Sequence, residues 1–346
     1  MSEANNAQCT IKSFLIPNSP FLIMTILRNA LKTALWIIRI IIPVSFVVTL
    51  LDFYGIIEWI SIYTAPLFRL IGLQGNAAVV YFSSLFLPLY APIAIIATLP
   101  LSLREITILA LMCLITHNLP IECAVQRRSG TPFWQTLLIR LTFSILGGIL
   151  LNLILPESLA LSPHFKGTSE PTVLSHMAKN EEGILNFIAK GSKTFGSQLS
   201  ILNSQLLNWL TSTLSLCLKI ILIITALMYG QFLLKRYGII NKIARPLAPL
   251  MRLCGLQPNS AFLWLVAQIV GLTYGAGIMA QEIEESGADR EELHRINLHI
   301  SVNHSLIEDT AIFCMLGVAW YFLVIPRLIF AIIIVQTYNF IKKLKT

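Results

Sequence analysis

Residues 304–310 of the 346-residue chain read HSLIEDT, which sets a histidine and two adjacent carboxylates inside an otherwise apolar stretch. Residues 117–122 read HNLPIE, a second polar break in a similar apolar setting. Ionisable side chains are costly in hydrocarbon and usually mark a solute pathway or a binding site when they occur there. We therefore expect these two breaks to carry the function and the surrounding apolar segments to hold them in place.

The composition is that of an integral membrane protein. Hydrophobic residues make up 55% of the chain and charged residues only 12%, whereas soluble domains carry about 25% charged residues. The net charge of +8 does not indicate nucleic-acid binding, because the basic residues are scattered around apolar spans, where membrane topology requires them. The six cysteines form no CxxC pair, so no disulfide or zinc role is assigned to them.

The chain contains an internal repeat. Residues 54–57 (YGII) recur at 237–240, and residues 65–74 (APLFRLIGLQ) recur at 248–257 as APLMRLCGLQ. Farther along, three positions recur at one constant spacing: His117 with His304, Glu122 with Asp309, and Arg140 with Arg327. The earlier matches are separated by 183 residues and the later ones by 187, so one four-residue insertion between them aligns the whole set. The chain is therefore interpreted as a duplication.

The repeat predicts an all-α integral membrane fold with two inverted repeats, each with the same five parts. These parts are one scaffold helix, an interfacial helix, a re-entrant hairpin, a broken helix and a closing helix. In the first half the scaffold helix is predicted at 33–52, the interfacial helix at 56–72, the hairpin at 76–99 with its tip at 88–92, and the closing helix at 131–154. In the second half the same parts are predicted at 210–234, 239–255, 259–284 with the tip at 271–277, and 319–340. Two short arms around a Gly or Pro tip cannot each supply the ~20 residues of a crossing, which favours a hairpin.

Three crossings in each half would invert the second half relative to the first. Most lysines and arginines outside the spans then fall on the side of the N-terminus, so both termini are predicted to be cytoplasmic and the protein to be a multi-pass protein of the cell inner (plasma) membrane. The predicted segments are an N-terminal cytoplasmic segment (1–27), repeat 1 (28–155), an extracytoplasmic connecting loop (156–207) and repeat 2 (208–346).

This order of parts resembles the transport domain of concentrative nucleoside transporters. The GLTYGAG tip at 271–277, followed by HSLIEDT at 304–310, resembles the nucleoside recognition (Gate) domain family, whose domains also occur in ferrous-iron transport and spore-maturation membrane proteins. The resemblance covers nearly all of 30–340. It implies two Gate repeats and a transporter or pore for a small polar solute, with nucleosides as the first class to consider. The alternative that it implies is a non-transporting membrane scaffold that works with a partner.

The candidate solute-binding residues lie at the two breaks and the two hairpin tips, which are expected to meet near the bilayer midplane. They are His304, Ser305, Glu308, Asp309, Thr273, Tyr274, His117, Asn118, Glu122 and Tyr90. A second interpretation stays open for the two carboxylates that recur, because Glu122 with Arg140 and Asp309 with Arg327 could be buried salt bridges that lock adjacent helices.

No enzyme, cofactor or metal site is predicted. His294, His299 and His304 recur every five residues and so do not share one face of a helix, and no nucleophile and base stand at catalytic spacing in the spans. The expected partners are membrane lipid and a small polar solute, without nucleic acid. A homo-oligomer or a second membrane protein stays open as a further partner.

Overall fold

The computed structural model describes residues 20–160, 191–269, 271–272 and 289–345. Every regular element in these ranges is a helix, which confirms the predicted all-α membrane fold. The inverted relation between the two halves stays a prediction.

Seven α-helices form the first half. They are α1 (Pro20–Phe53), α2 (Ile56–Arg69), α3 (Ala77–Phe86), α4 (Tyr90–Ile96), α5 (Leu103–Thr116), α6 (Leu119–Arg128) and α7 (Phe133–Ile154), followed by a 3-10 turn at Glu157–Ala160.

The described α-helices of the second half follow the same order. They are α8 (Gly191–Arg236), α9 (Ile239–Ala244), α10 (Ala248–Leu253), α11 (Ala261–Ile269), α12 (Arg290–Val302), α13 (Glu308–Cys314) and α14 (Trp320–Lys345), with 3-10 turns at Arg245–Leu247 and Pro258–Ser260.

Helix α5 forms the centre of the molecule. Every residue from Glu105 to Thr116 is buried, and the helix packs against α3, α7, α12 and α14. A helix that is apolar on all faces is expected to be surrounded by protein in this way. Its start is fixed by a capping box, in which Ser102 accepts a hydrogen bond from the backbone N–H of Glu105 and the Glu105 carboxylate accepts one from the backbone N–H of Ser102.

Four helical segments are long and apolar enough to cross a membrane within the described residues. They are Leu103–Arg128, Phe133–Ile154, Leu206–Leu234 and Trp320–Leu344, and a bent pair, Ile38–Phe53 with Ile56–Arg69, adds a fifth if it counts as one span. With the bent pair counted, the first half has the three predicted crossings, whereas only two described helices of the second half are long and apolar enough to cross. The segment of the second half that corresponds to Leu103–Arg128 is α12 with α13. It is not among the candidate spans, because α12 has only 13 residues and begins with Arg290, Glu291 and Glu292.

The predicted interfacial helix and hairpin of the first half correspond to separate short helices. Helix α2 turns away from α1 by 87°, a direction that suits a helix lying in the membrane surface. Helices α3 and α4 have 10 and 7 residues, each too short to cross alone. The interruption between them is Leu87–Leu89, shorter than the predicted 88–92, because Pro92 lies in the first turn of α4, where proline is tolerated.

Other boundaries also differ from the sequence predictions. Helix α8 begins at Gly191, so the last part of the predicted connecting loop, 156–207, is helical and continuous with the scaffold span. Helix α1 begins at Pro20, inside the predicted N-terminal segment 1–27. The second interfacial stretch is divided into α9, a 3-10 turn and α10, because Pro246 and Pro249 remove backbone donors there.

Candidate functional site

The two polar breaks are held by the same backbone contacts. After α5 ends, Asn118 adopts the left-handed conformation (φ 52°), and its N–H donates to the carbonyl of Ser84 on α3, 2.8 Å away. After α12 ends, Ser305 adopts the same conformation (φ 48°), and its N–H donates to the carbonyl of Ala267 on α11, 3.3 Å away. In each half, the residue at the helix break is therefore hydrogen-bonded to a preceding short helix, α3 in the first half and α11 in the second.

The non-helical interruptions in the structure are shorter than the polar sequence motifs at 117–122 and 304–310 from which they were predicted. The first consists of His117 and Asn118, so Glu122 lies within α6. The second covers 303–307, so Glu308 and Asp309 form the first turn of α13. Both carboxylate groups stand near the start of a helix, where the helix dipole favours negative charge.

Arg140 on α7 donates hydrogen bonds to the backbone carbonyls at the first break. Its side chain is fully buried, and its Nε and Nη2 donate to the carbonyls of Ile115 (2.6 Å) and His117 (3.0 Å). Its Nη1 lies 2.6 Å from Glu122 Oε2. One guanidinium thus satisfies the carbonyls left free by the end of α5 and forms the salt bridge that the sequence suggested.

Arg327 stands at the equivalent place in the second half and keeps the contact with the histidine carbonyl, but it has a hydroxyl partner in place of the carboxylate. Its Nη1 donates to the carbonyl of His304 (3.3 Å) and its Nη2 to Thr310 Oγ1 (2.9 Å). Among the described residues no ion pair joins Arg327 to Asp309. The salt-bridge interpretation is therefore confirmed for Glu122 and wrong for Asp309.

The side chains of the two breaks meet at one point between the halves. His117 Nε2 lies 3.1 Å from Glu122 Oε1 and 3.9 Å from Asp309 Oδ2. His304 Nε2 lies 3.4 Å from Glu122 Oε2, and the two imidazole centroids are 5.2 Å apart. We call His117, Glu122, His304 and Asp309 the central cluster.

The tautomers of both histidines follow from their hydrogen bonds. His117 Nδ1 lies 3.1 Å from the carbonyl of Cys113, and His304 Nδ1 lies 3.0 Å from the carbonyl of Ile300. A carbonyl can only accept, so each Nδ1 carries the proton. In the neutral imidazole, Nε2 then has a free lone pair, and both lone pairs are directed into the central cluster.

The central cluster is almost closed to solvent. His304 is 1% exposed, His117 6% and Glu122 8%. In the described part of the chain, His304 Nε2 and Asp309 Oδ2 are buried without a hydrogen-bond partner. Buried polar atoms are rarely left unpaired, so such atoms call for a ligand or another function.

The remaining predicted residues lie around this cluster or outside the described residues. Glu308 Oε2 accepts a hydrogen bond from Gln231 Nε2 on scaffold helix α8 at 3.1 Å. Tyr90 begins α4 of the first half, and its ring packs edge-on against Trp36 of α1 with the ring centroids 6.1 Å apart. Ser305 acts through its backbone as described above. Thr273 and Tyr274 lie outside the described residues.

Sequence reasoning missed one residue of this region. Gln231 donates to both Glu308 and the carbonyl of Ile269, 2.7 Å away, and so connects the scaffold helix to α13 and α11. A glutamine inside an apolar span was the signal that could have indicated it.

A cavity of about 280 Å³ lies between α8 and the end of α13. It is lined by Thr211, Ser212, Ser215, Leu216, Lys219, Met315 and Leu316. Met315 follows Asp309 by six residues, so the cavity begins about 9 Å along α13 from the central cluster. Three hydroxyls and one lysine line it beside the apolar side chains of Leu216, Met315 and Leu316.

Comparison with known proteins identifies a membrane relative. The chain is 29% identical over 296 residues to the "Uncharacterized membrane protein YvoD" of Bacillus subtilis (strain 168), an alignment that covers 86% of this chain and 87% of the relative. No family model and no solved structure matches the chain. The relative and the apolar helices together assign this chain to the membrane proteins.

Proposed function

We propose that the protein is a transporter or pore for a small polar or ionic solute, with the central cluster as its binding site. The proposal includes the Gate-type architecture of two inverted repeats and a location in the inner membrane with both termini in the cytoplasm. Membrane location alone follows from the relative and the spans; transport is the proposed step.

The observation that carries the proposal is the meeting of the two breaks. His117 from one half and His304 from the other converge in the interior, with the carboxylates of Glu122 and Asp309 directed at the same point. Broken helices that place polar groups at the interface of two repeats are the usual construction of a transporter site.

The same observation argues against a purely structural role. A membrane scaffold would need only satisfied charge pairs, of which Glu122 with Arg140 is an example. Within the described residues the one ion-pair contact of Asp309 is the 3.9 Å approach to His117 Nε2, and Arg327 on the next helix donates to Thr310 instead. A buried carboxylate without a close cationic partner costs several kcal/mol, which a structural role alone leaves unexplained.

Solute uptake into proteoliposomes tests the proposal. The panel contains nucleosides, nucleobases and divalent cations, so that the class implied by the Gate resemblance is included. The site variant is His304→Gln, and the matched control is His294→Gln, because His294 lies on α12, the helix that leads into the second break, but contacts Thr131 instead of the central cluster. We expect uptake of one class by the wild type and the control and at least tenfold less by the site variant, a loss comparable to that from removing a supporting contact.

Two results would contradict the proposal. One is the absence of uptake for every solute by protein that is monodisperse and helical; the other is uptake that His304→Gln leaves unchanged. The orientation is tested separately with reporters fused to the C-terminus, which we expect to be active only in the cytoplasmic form.

A further inference from the structure

We propose that the central cluster binds one divalent first-row transition-metal cation, of the zinc or ferrous-iron type. The ligands would be His117 Nε2, His304 Nε2 and an oxygen of Asp309, with Glu122 Oε1 as a fourth. The inference deepens the proposed function, on which its transport part rests, because it names the class of solute.

The spacing of the ligand atoms suits a small cation. One ligand atom from each of His117, His304 and Asp309 lies within 4.8 Å of the others. Ligands on a tetrahedral metal with bonds of ~2.1 Å are roughly 3.4 Å apart, and His117 Nε2 to Asp309 Oδ2 is already 3.9 Å. Side-chain adjustments of about 1 Å therefore complete the coordination, a scale that rotamer adjustment allows.

The tautomers provide a second, independent argument. Both Nδ1 atoms donate to backbone carbonyls, so both Nε2 atoms of the neutral imidazoles are acceptors. Carboxylate oxygens are acceptors as well, and His117 Nε2 faces Glu122 Oε1 at 3.1 Å. Two lone pairs at this distance repel unless a proton or a metal cation lies between them, so the contact requires either the imidazolium form of His117 or a bound metal. A backbone hydrogen bond at one ring nitrogen is also the usual support of a metal-binding histidine.

The charges around the central cluster also permit a cation. Three carboxylates, Glu122, Glu308 and Asp309, face two guanidiniums, Arg140 and Arg327, so that the formal charge is negative when the histidines are neutral. Arg140 is already engaged by Glu122. Asp309 therefore remains as the carboxylate that a metal would neutralise.

The donor set restricts the class of metal. Imidazole nitrogen with carboxylate oxygen suits Zn²⁺, Fe²⁺, Mn²⁺ or Co²⁺, whereas Mg²⁺ and Ca²⁺ prefer oxygen alone and Cu⁺ prefers sulfur. The group that could hold the ion contains no cysteine among the described residues. The prediction that no metal site exists considered the histidines of one helix at a time, and it did not consider ligands from both halves.

Equilibrium dialysis of the full chain in detergent, with metal quantified by mass spectrometry, tests the site directly. Zn²⁺ and Co²⁺ are the probes and Mg²⁺ is the control ion. We expect one equivalent of Zn²⁺ or Co²⁺ and no Mg²⁺ at the same free concentration. His304→Gln and the nearly isosteric Asp309→Asn should each weaken binding at least ten- to hundredfold, whereas His294→Gln should bind as the wild type does.

The coordination itself gives an independent reading. X-ray absorption of the Zn²⁺-loaded chain should show two imidazoles at about 2.0–2.1 Å with oxygen and no sulfur. Failure of the wild type to bind either probe, binding that both site variants retain, or a sulfur ligand in the spectrum would each overturn the proposal. Asp309→Asn keeps the size of the side chain, so it tests the site even if His304→Gln does not fold.

The two proposals fail in different ways. Metal bound at the central cluster without uptake of any solute would support the site and refute transport. Uptake of a nucleoside by protein that binds no metal would support transport and refute the metal. Metal-dependent uptake of the same cation, lost in His304→Gln and kept in His294→Gln, would support both.

Discussion

Replacing Arg140 by methionine tests how the first break is held together. The guanidinium is fully buried, forms the 2.6 Å ion pair with Glu122 and donates to the carbonyls of Ile115 and His117. Removing one partner of a buried pair typically costs about 3–5 kcal/mol, because the other charge is left unpaired. We expect Arg140→Met to lower the free energy of unfolding by that amount.

A double-mutant cycle separates the ion pair from the hydrogen bonds. When Glu122→Leu is added to Arg140→Met no charge is stranded, so the double variant should be less destabilised than the sum of the singles, with a coupling of about 2–3 kcal/mol. The equivalent cycle on Arg327 and Asp309 should give about 1 kcal/mol or less, because Arg327 donates to Thr310 and to the carbonyl of His304 instead.

Unfolding in mixed micelles by increasing fractions of sodium dodecyl sulfate, followed by tryptophan fluorescence, measures these energies. Wild-type protein and all variants are compared at the same lipid-to-detergent ratio. Equal coupling in the two halves, or stronger coupling between Arg327 and Asp309, would refute the asymmetry on which the proposed site depends.

The same titration checks three further changes. Ser305→Gly should stabilise the protein by about 0.5–1 kcal/mol and Ser305→Val should destabilise it, because this residue has a φ of 48° that glycine adopts without strain; equal effects of the two would contradict this. Gly72→Ala should cost about 2–3 kcal/mol, because its φ is +72° and a Cβ there displaces the Asn152 side chain that accepts a hydrogen bond from Arg104. Gly130→Ala meets open space and should cost about 1 kcal/mol for its backbone alone, and a reversed order would be inconsistent with the packing. Glu105→Ala should cost about 1–2 kcal/mol through loss of the capping box at the start of α5, and a neutral result would show that the cap does not matter.

The sequence was sufficient for the local features of the site. Its repeat aligned His117 with His304, and the structure gives their neighbours Asn118 and Ser305 the same left-handed backbone. It also paired Glu122 with Arg140, since charges placed on either side of one short turn between helices reach the same depth. Such features depend on short stretches of chain, and a pattern of residues records them directly.

The contacts between the halves could not be predicted in this way. Asp309 faces His117 of the other half rather than Arg327 of its own, and Gln231 reaches Glu308 from a distant helix. These contacts depend on how whole helices pack, and hydrophobic periodicity carries no record of which polar side chains will meet. The metal hypothesis was missed for the same reason, because its ligands come from the two breaks, α6 and α13 and share no local spacing.

The difference between the halves is itself an argument for a site. In the duplication that the sequence repeat predicts, both copies would begin with the same contacts, and the first half pairs its carboxylate with its arginine. In the second half Arg327 donates to Thr310 in place of a carboxylate, and Asp309 faces His117 of the first half. Removing one member of a buried ion pair leaves the other charge without a partner and destabilises the fold by several kcal/mol. That cost is offset if a cation binds between Asp309 and the two imidazoles, and the same cation would then be held by ligands from both halves, as the proposed transporter site between two repeats requires.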